Sequence, residues 1–376
     1  MYIDLKDHWT MNSPISYPAH VAALKPYVPG LPISAVAARS GIAQDRIVKL
    51  ASNENPLGAS PKALAALSRA AIDLSRYPDS DCAALSDAIA AFHDVPRDWI
   101  VVGAGSESVL GNLVSTLLQP GRSTAYSQYS FQAYVNAAQK LGATSTVVPS
   151  PDFRVDLEGL ADAIQPSTAL VYIANPGNPT GTVVDPDALE AFLDRVPAHV
   201  VVLLDEAYFE FMPADLRGDS VAWVRRHPNL VVTRTFSKAY GLAGLRIGYG
   251  IAQSGLSDVM RRVRSPFTIS DAAQVAAIAA LDDVEFIEQT VAMTDQGRSA
   301  LISGLGAKGY RCIRSHTNFI LADVGGGAAF ASRLEKQGLI VRPVTAYGLA
   351  DWVRISIGTP AEIGRILAVP SGVNTS

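Results

Sequence analysis

The sequence predicts an α/β protein: a mostly parallel sheet sandwiched by helices, followed by a smaller α+β C-terminal domain. Three observations predict it. Short apolar runs rich in β-branched residues alternate with amphipathic stretches up to about residue 262. Most of these runs lack a two-residue alternation, as strands buried on both faces do. Beyond residue 262 the pattern changes to a long helical stretch and then to short strands separated by turns.

The elements follow in chain order. The first 60 residues are irregular and carry Pro14, Pro18, Pro26, Pro29, Pro32 and Pro56, so they read as an arm packing on the smaller domain and the active site. Ser60-Pro61 opens a helix, with Ser at the N-cap and Pro in the first turn. Trp99–Val102 reads as a strand; after Gly105, Leu110, Leu113, Val114, Leu117 and Leu118 recur at helical spacing until Gln119-Pro120-Gly121 ends the run. Ala169–Ala174 is a strand, and Asp185-Pro186 starts a helix carrying Leu189, Phe192, Leu193 and Val196. Val200–Leu204, Leu230–Thr233 and Ile247–Ile251 are further strands. A helical stretch from Ser270 to about Leu305 comes next, then a strand at Thr317–Ala322 and a turn at Gly325-Gly326-Gly327. A helix near Ala329–Gln337 and strands near Leu339–Arg342 and Val353–Ile357 complete the chain. The expected division is residues 1–60 as the arm, 61–262 as the large domain and 263–376 as the small one.

Composition narrows the function. In 376 residues, 31 Lys and Arg stand against 35 Asp and Glu, so there is no basic surplus of the kind that nucleic-acid binding needs. Cys82 and Cys312 are far apart, and neither they nor the six histidines show metal-ligand spacing, so no metal is expected and a reducing, cytoplasmic compartment is. No apolar run approaches the roughly 20 residues of a membrane span, and the first twenty residues show no signal-peptide core.

Four segments carry possible chemistry. Ser237-Lys238 follows an apolar strand and precedes a Gly-punctuated stretch ending in Arg246. A lysine after a strand is commonly just solvated. One held among apolar residues loses hydration, its pKa falls, and its amine becomes a nucleophile, while nearby hydroxyls and a guanidinium can hold a phosphate. Val200–Leu204 runs into Asp205-Glu206-Ala207-Tyr208; an acid there is either an exposed strand end or a carboxylate that keeps a ring nitrogen protonated. Asn175-Pro176-Gly177-Asn178-Pro179-Thr180-Gly181 follows another strand and is either a tight turn or part of a ligand site at strand carboxyl ends. Gly103-Ala104-Gly105-Ser106-Glu107 leads into a helix whose free N–H groups suit an anion; it lacks the third glycine of a dinucleotide fingerprint.

Together and in this order, these segments resemble the fold type I, pyridoxal-phosphate-dependent aminotransferases, and within them the histidinol-phosphate aminotransferase family. Pro26-Tyr27-Val28-Pro29-Gly30, Leu50-Ala51-Ser52-Asn53-Glu54-Asn55-Pro56, Arg76-Tyr77-Pro78 and Val353-Arg354-Ile355 extend the likeness over nearly the whole chain. The resemblance implies pyridoxal 5'-phosphate as cofactor and Lys238 as the residue that bonds to it covalently and shuttles protons. It implies Asp205 on the pyridine nitrogen, Asn175 and Tyr208 on the phenolic oxygen, and Tyr129 stacked on the ring. Gly105, Ser106, Glu107, Thr235, Ser237 and Arg246 would form the phosphate cup, joined by Tyr77 of a neighbouring subunit in a homodimer with a shared active site. Tyr27, Asn53, Arg342 and Arg354 would meet the substrate.

The implied reaction transfers an amino group from histidinol phosphate to 2-oxoglutarate, in histidine biosynthesis. An aromatic amino acid aminotransferase of the same subfamily is the nearest alternative. A threonine-phosphate decarboxylase and a non-catalytic, cofactor-sensing regulator are remoter ones; a regulator would need a DNA-binding domain, and no helix-turn-helix pattern precedes the first motif. Two departures bear on substrate: Ser127-Gln128 stands where many relatives have a Pro-rich turn, and Glu107-Ser108 where Asp-Glu is common.

Overall fold

The computed structural model describes residues 15–24 and 30–370. Seven strands form the central sheet: β1 (Ile100–Gly103), β2 (Ser123–Ser127), β3 (Thr144–Val148), β4 (Thr168–Ala174), β5 (Val201–Asp205), β6 (Leu230–Thr235) and β7 (Gly248–Ile251). Their order is β1-β7-β6-β5-β4-β2-β3. Only β7 runs antiparallel to its neighbours. The other pairs are parallel, with Ala174 opposite Asp205 and Asp205 opposite Thr233.

Both faces of the central strands β4, β5 and β6 are buried, which is why they read as continuous apolar runs. On one face, Val109, Leu110 and Leu113 of the helix Ser106–Leu117 pack with Tyr134 and Met260 against Leu170, Leu203 and Val231. On the other, Leu85, Ile89, Leu189 and Phe192 pack against Val171, Val202 and Val232. This second core also takes in Ile269, Ala273, Ala276, Ala277 and Leu281, residues that the sequence division at 262 puts in the smaller domain. The helical stretch expected from Ser270 to about Leu305 consists of two helices, Asp271–Leu281 and Val284–Gly306, parted at Asp282-Asp283. The Asp283 carboxylate accepts from the Lys62 N–H at 3.1 Å and from the Ser60 hydroxyl, which also caps the helix Pro61–Arg69.

A second, antiparallel sheet is built from β8 (Arg311–Ile313), β9 (Phe319–Asp323), β10 (Arg342–Val344) and β11 (Leu349–Ser356), in the order β10-β11-β9-β8. Leu301 and Leu305, Phe330 and Leu334, and Ile363 and Ile366 cover it from three helices. Val48–Lys49 pairs in parallel with Leu339–Ile340, so the end of the arm joins this unit. Among the described residues no helix is long and apolar enough to cross a membrane, and no group of three or more His, Cys, Asp or Glu could hold a metal.

Candidate active site

Five parallel strands deliver the site. β1 ends in Gly103, two residues before Gly105-Ser106; β2 leads to Tyr129; β4 leads to Asn175; β5 ends on Asp205; β6 leads to Ser237 and Lys238. All five segments leave the same edge of the sheet, its carboxyl edge, where parallel α/β sheets bind ligands.

At the β1 end, Gly105 takes a φ of 76°, and a Cβ there would stand 2.8 Å from Arg246 Nη2. A Cβ on Gly248 would stand 2.4 Å from the Ser106 nitrogen. Two glycines thus let the start of the helix Ser106–Leu117 close onto the Arg246 segment. The uncapped N–H groups, the helix dipole, the Ser106 hydroxyl and the guanidinium together make an anion site. Glu107 is exposed in the first turn. Ser237 is buried, and its N–H donates to Thr235 Oγ1 at 3.1 Å, while that hydroxyl reaches the Ile247 carbonyl at 3.4 Å. The Thr235 hydroxyl is therefore engaged with backbone and holds the turn.

Lys238 Nζ donates to the Ser52 carbonyl at 3.3 Å, and it lies 5.8 Å from the centre of the Tyr208 ring. Burial, reinforced by the positive charge of Arg354, brings its pKa down to about 8. Asp205 is 6% exposed and accepts from Tyr172 Oη at 3.0 Å and Thr233 Oγ1 at 3.1 Å. Burial raises its pKa, and the two hydroxyl bonds pull the other way. Neither Tyr172 nor Thr233 was legible as a site residue. Tyr172 is itself fully buried and stacked on Tyr134, with ring centres 4.1 Å apart.

Tyr208 is held by two amides. Asn53 Nδ2 at 2.8 Å and Asn178 Nδ2 at 3.3 Å donate to its hydroxyl, and Asn175 does not. Asn175 Oδ1 instead accepts from the Val184 N–H at 2.9 Å, and its own N–H bonds the Asp205 carbonyl. Its amide thus ties the loop to the strand end. Three residues on, Asn178 turns toward the site, and its Oδ1 accepts from Arg354 Nη1 at 2.7 Å. Asn178 is a site-facing residue that the sequence reading did not name, although the same turn repeats Asn-Pro.

The arm supplies three consecutive contacts. The Ala51 carbonyl accepts from Arg354 Nη2 at 2.9 Å, the Ser52 carbonyl from Lys238, and Asn53 bonds Tyr208. Asn53 is 1% exposed, so it belongs to the floor of the site and not to a cover over substrate. Arg354 Nε is buried with no partner among the described residues. Arg342 sits opposite Arg354 in the β10–β11 register, and a Cβ on Gly30 would lie 3.5 Å from its Nη1. Tyr129 is half-buried and stacks on Phe153 at 5.3 Å. Tyr77 is 81% exposed and stacks on Phe267 at 4.7 Å, so within one chain it is a surface residue. Tyr27 lies outside the described residues.

Comparison with known proteins gives the same direction. Residues 45–369 match the family described as aminotransferase class I and II. The chain is 48% identical to histidinol-phosphate aminotransferase 2 of Ralstonia nicotianae over 355 residues, covering 93% of this chain and 95% of that protein. It is 47% identical to histidinol-phosphate aminotransferase 1 of Cupriavidus pinatubonensis, covering 93% and 94%. Among solved structures, histidinol-phosphate aminotransferase from Sinorhizobium meliloti in complex with pyridoxal-5'-phosphate superposes with a TM-score of 0.86 at 29% identity, over 96% of this chain and 98% of that one.

Proposed function

The chain belongs to the class I and II aminotransferases, and from that premise we propose that it transfers the amino group of histidinol phosphate to 2-oxoglutarate, with pyridoxal 5'-phosphate as cofactor, in histidine biosynthesis. The reaction class rests on one observation: an amine of lowered pKa and a buried carboxylate without a guanidinium partner meet at the carboxyl edge of a parallel sheet, beside an anion-binding helix start. The substrate rests on the near full-length likeness to histidinol-phosphate aminotransferases.

The residues fit the cofactor. The helix start at Ser106, with Ser237 and Arg246, suits its phosphate; Asp205 offers a carboxylate for a protonated ring nitrogen; the Tyr208 hydroxyl, which accepts from two amides, keeps its own proton to donate to the phenolic oxygen. Bound there, pyridoxal phosphate supplies an electron sink for the electron pair left at the substrate Cα when its proton departs. The protein's part is proton handling and placement. Lys238 Nζ takes the proton from Cα and redelivers it, the general acid–base role its lowered pKa suits. Asp205 holds the ring nitrogen's proton in place. Arg354, with an unpaired Nε, binds the anionic group of either substrate, and Arg342 stands beside it in register. The exposed Tyr77–Phe267 pair fits a homodimer in which Tyr77 reaches the partner's phosphate site. A cytoplasmic location accords with a biosynthetic role and with two free thiols.

Steady-state kinetics of the purified holoenzyme test this reading. With 2-oxoglutarate as acceptor, kcat/KM for histidinol phosphate is expected to exceed that for phenylalanine by about 100-fold or more. Equal or higher efficiency with phenylalanine makes the chain an aromatic amino acid aminotransferase instead.

A further inference from the structure

The direction of the Tyr208 proton is set by a network that begins outside the sheet domain. Amide groups usually leave the donor and acceptor ends ambiguous; here both are fixed by their partners. Asn178 Oδ1 faces Arg354 Nη1, a group that can only donate, so Asn178 Nδ2 is the end that meets Tyr208. Ser356 Oγ accepts from the Asn53 backbone N–H at 2.8 Å, which leaves its own proton for Asn53 Oδ1 at 2.9 Å. Asn53 Nδ2 is thereby turned to Tyr208 at 2.8 Å. Tyr208 Oη accepts two amide hydrogens and donates to no described residue. Its single proton is left pointing into the site.

We infer that Asn53, oriented by Ser356, is a positioning residue that makes Tyr208 an obligate hydrogen-bond donor to the cofactor's phenolic oxygen, and so links the placement of β11 to the proton affinity of the bound cofactor. The inference rests on the Tyr208 role proposed above. Several features make Asn53 suited to it. It holds a left-handed φ of 55°, which asparagine tolerates better than most residues. Asn318 Nδ2 clamps its carbonyl at 3.0 Å, and the Ser356 N–H bonds the Leu50 carbonyl at 2.9 Å, so the arm segment cannot shift without β11. β11 also carries Arg354, the substrate-binding group. A hydroxyl that accepts a hydrogen bond is a stronger donor in turn. Donation to a phenolate stabilises the deprotonated cofactor, so losing that support raises the pH at which it titrates.

The test is a pH titration of the visible absorption of the purified holoenzyme. Asn53→Gly suits the left-handed backbone and removes the amide. It is expected to raise the titration midpoint by about half to one pH unit, the size of one lost hydrogen bond. Ser356→Ala, which leaves the amide but frees it to turn, is expected to raise it by less. Tyr208→Phe is expected to raise it most, and Asn53→Gly added to Tyr208→Phe is expected to add nothing. The charged groups that act on Lys238, namely Arg354, Arg246, Glu54 and Asp205, are untouched in all four variants. No shift in Asn53→Gly and Ser356→Ala beside a clear shift in Tyr208→Phe overturns the inference. So does a shift from Asn53→Gly that persists without the Tyr208 hydroxyl. No shift in Tyr208→Phe itself removes the underlying Tyr208 role, a separate outcome. If Asn53→Gly fails to fold, Ser356→Ala alone, with and without Tyr208→Phe, decides.

Discussion

Asp205 and Glu206 are neighbours in the chain, and their side chains meet partners on opposite faces of the sheet. β6 alternates its side chains across the sheet: Thr233 meets Asp205 on the active-site face, and Arg234 meets Glu206 on the other. Both acids are buried and both have raised pKa values, with burial the largest cause. Their partners differ. Glu206 Oε2 has the Arg234 guanidinium at 2.9 Å and the Ser220 hydroxyl at 2.9 Å, and Arg234 in turn stacks over the Phe209 ring at 3.6 Å. Asp205 has the neutral hydroxyls of Tyr172 and Thr233 and the backbone of Ala207, with no guanidinium bonded to it among the described residues. A buried carboxylate without its own counter-cation is costly unless a ligand provides one. Glu206 is thus neutralised by a guanidinium, whereas Asp205 is held by hydroxyls and the backbone, with the Lys238 charge acting on it.

Three variants bear on that contrast, the largest effect first. Lys238→Ala removes the proposed nucleophile and proton carrier; turnover is expected to fall at least about 1,000-fold, and the bound cofactor to lose the absorption of its lysine-linked form. An unchanged spectrum displaces Lys238 from its role. Asp205→Asn is expected to cut kcat by about 100- to 1,000-fold while the melting temperature stays within a few degrees of the parent. Glu206→Gln should do the reverse: turnover within a few-fold, but stability in urea lower by about 3 kcal/mol, because Arg234 is left buried without its counter-charge. Exchange of these two phenotypes in paired kinetic and unfolding assays breaks the distinction between the faces.

The same contrast explains what the sequence could disclose. Strands buried on both faces announced themselves: the run at Ala169–Ala174 became β4, one residue longer at its start, and the run at Val200–Leu204 became β5, displaced by one residue at each end. β2, Ser-Thr-Ala-Tyr-Ser, did not, because it is buried with polar side chains. Ser123 bonds Ser167 and Thr168, and Thr124 donates to the Leu170 carbonyl at 2.8 Å, satisfactions that no pattern of hydropathy records. β3 lies at the sheet edge and is largely exposed, so it lacks an apolar signature. Within the site, Lys238, Asp205 and Arg354 were legible from motif order. The contact of Asn178 with Tyr208 was not, since one turn carries two asparagines and only its path in space decides which amide faces Tyr208. Asn53 read as a substrate contact because its motif sits in the arm; its role on Tyr208 depends on Ser356, 303 residues away.

Glu210 offers the smallest and most selective probe of the second face. It lies in the short turn Phe209–Phe211 after Tyr208, half-buried, near Arg234 and Glu206. Burial lifts its pKa to about 7, against the opposing pull of Arg234. The unfolded chain holds this carboxyl at about 4.3. Between those values the folded protein keeps a proton that the unfolded chain has lost, so this group's contribution falls as pH rises from about 4.3 to about 7 and stays unfavourable above that. Glu210→Gln removes the titration. Its melting temperature should match the parent near pH 4 and exceed it by a few degrees above pH 7.5, with kcat unchanged because Glu210 faces Arg234 and not Lys238. A parent that is the more stable protein at pH 8 would mean that Arg234 holds Glu210 as an anion, sharing its charge between two acids. The Glu206→Gln penalty should then shrink, because Arg234 would keep a second partner.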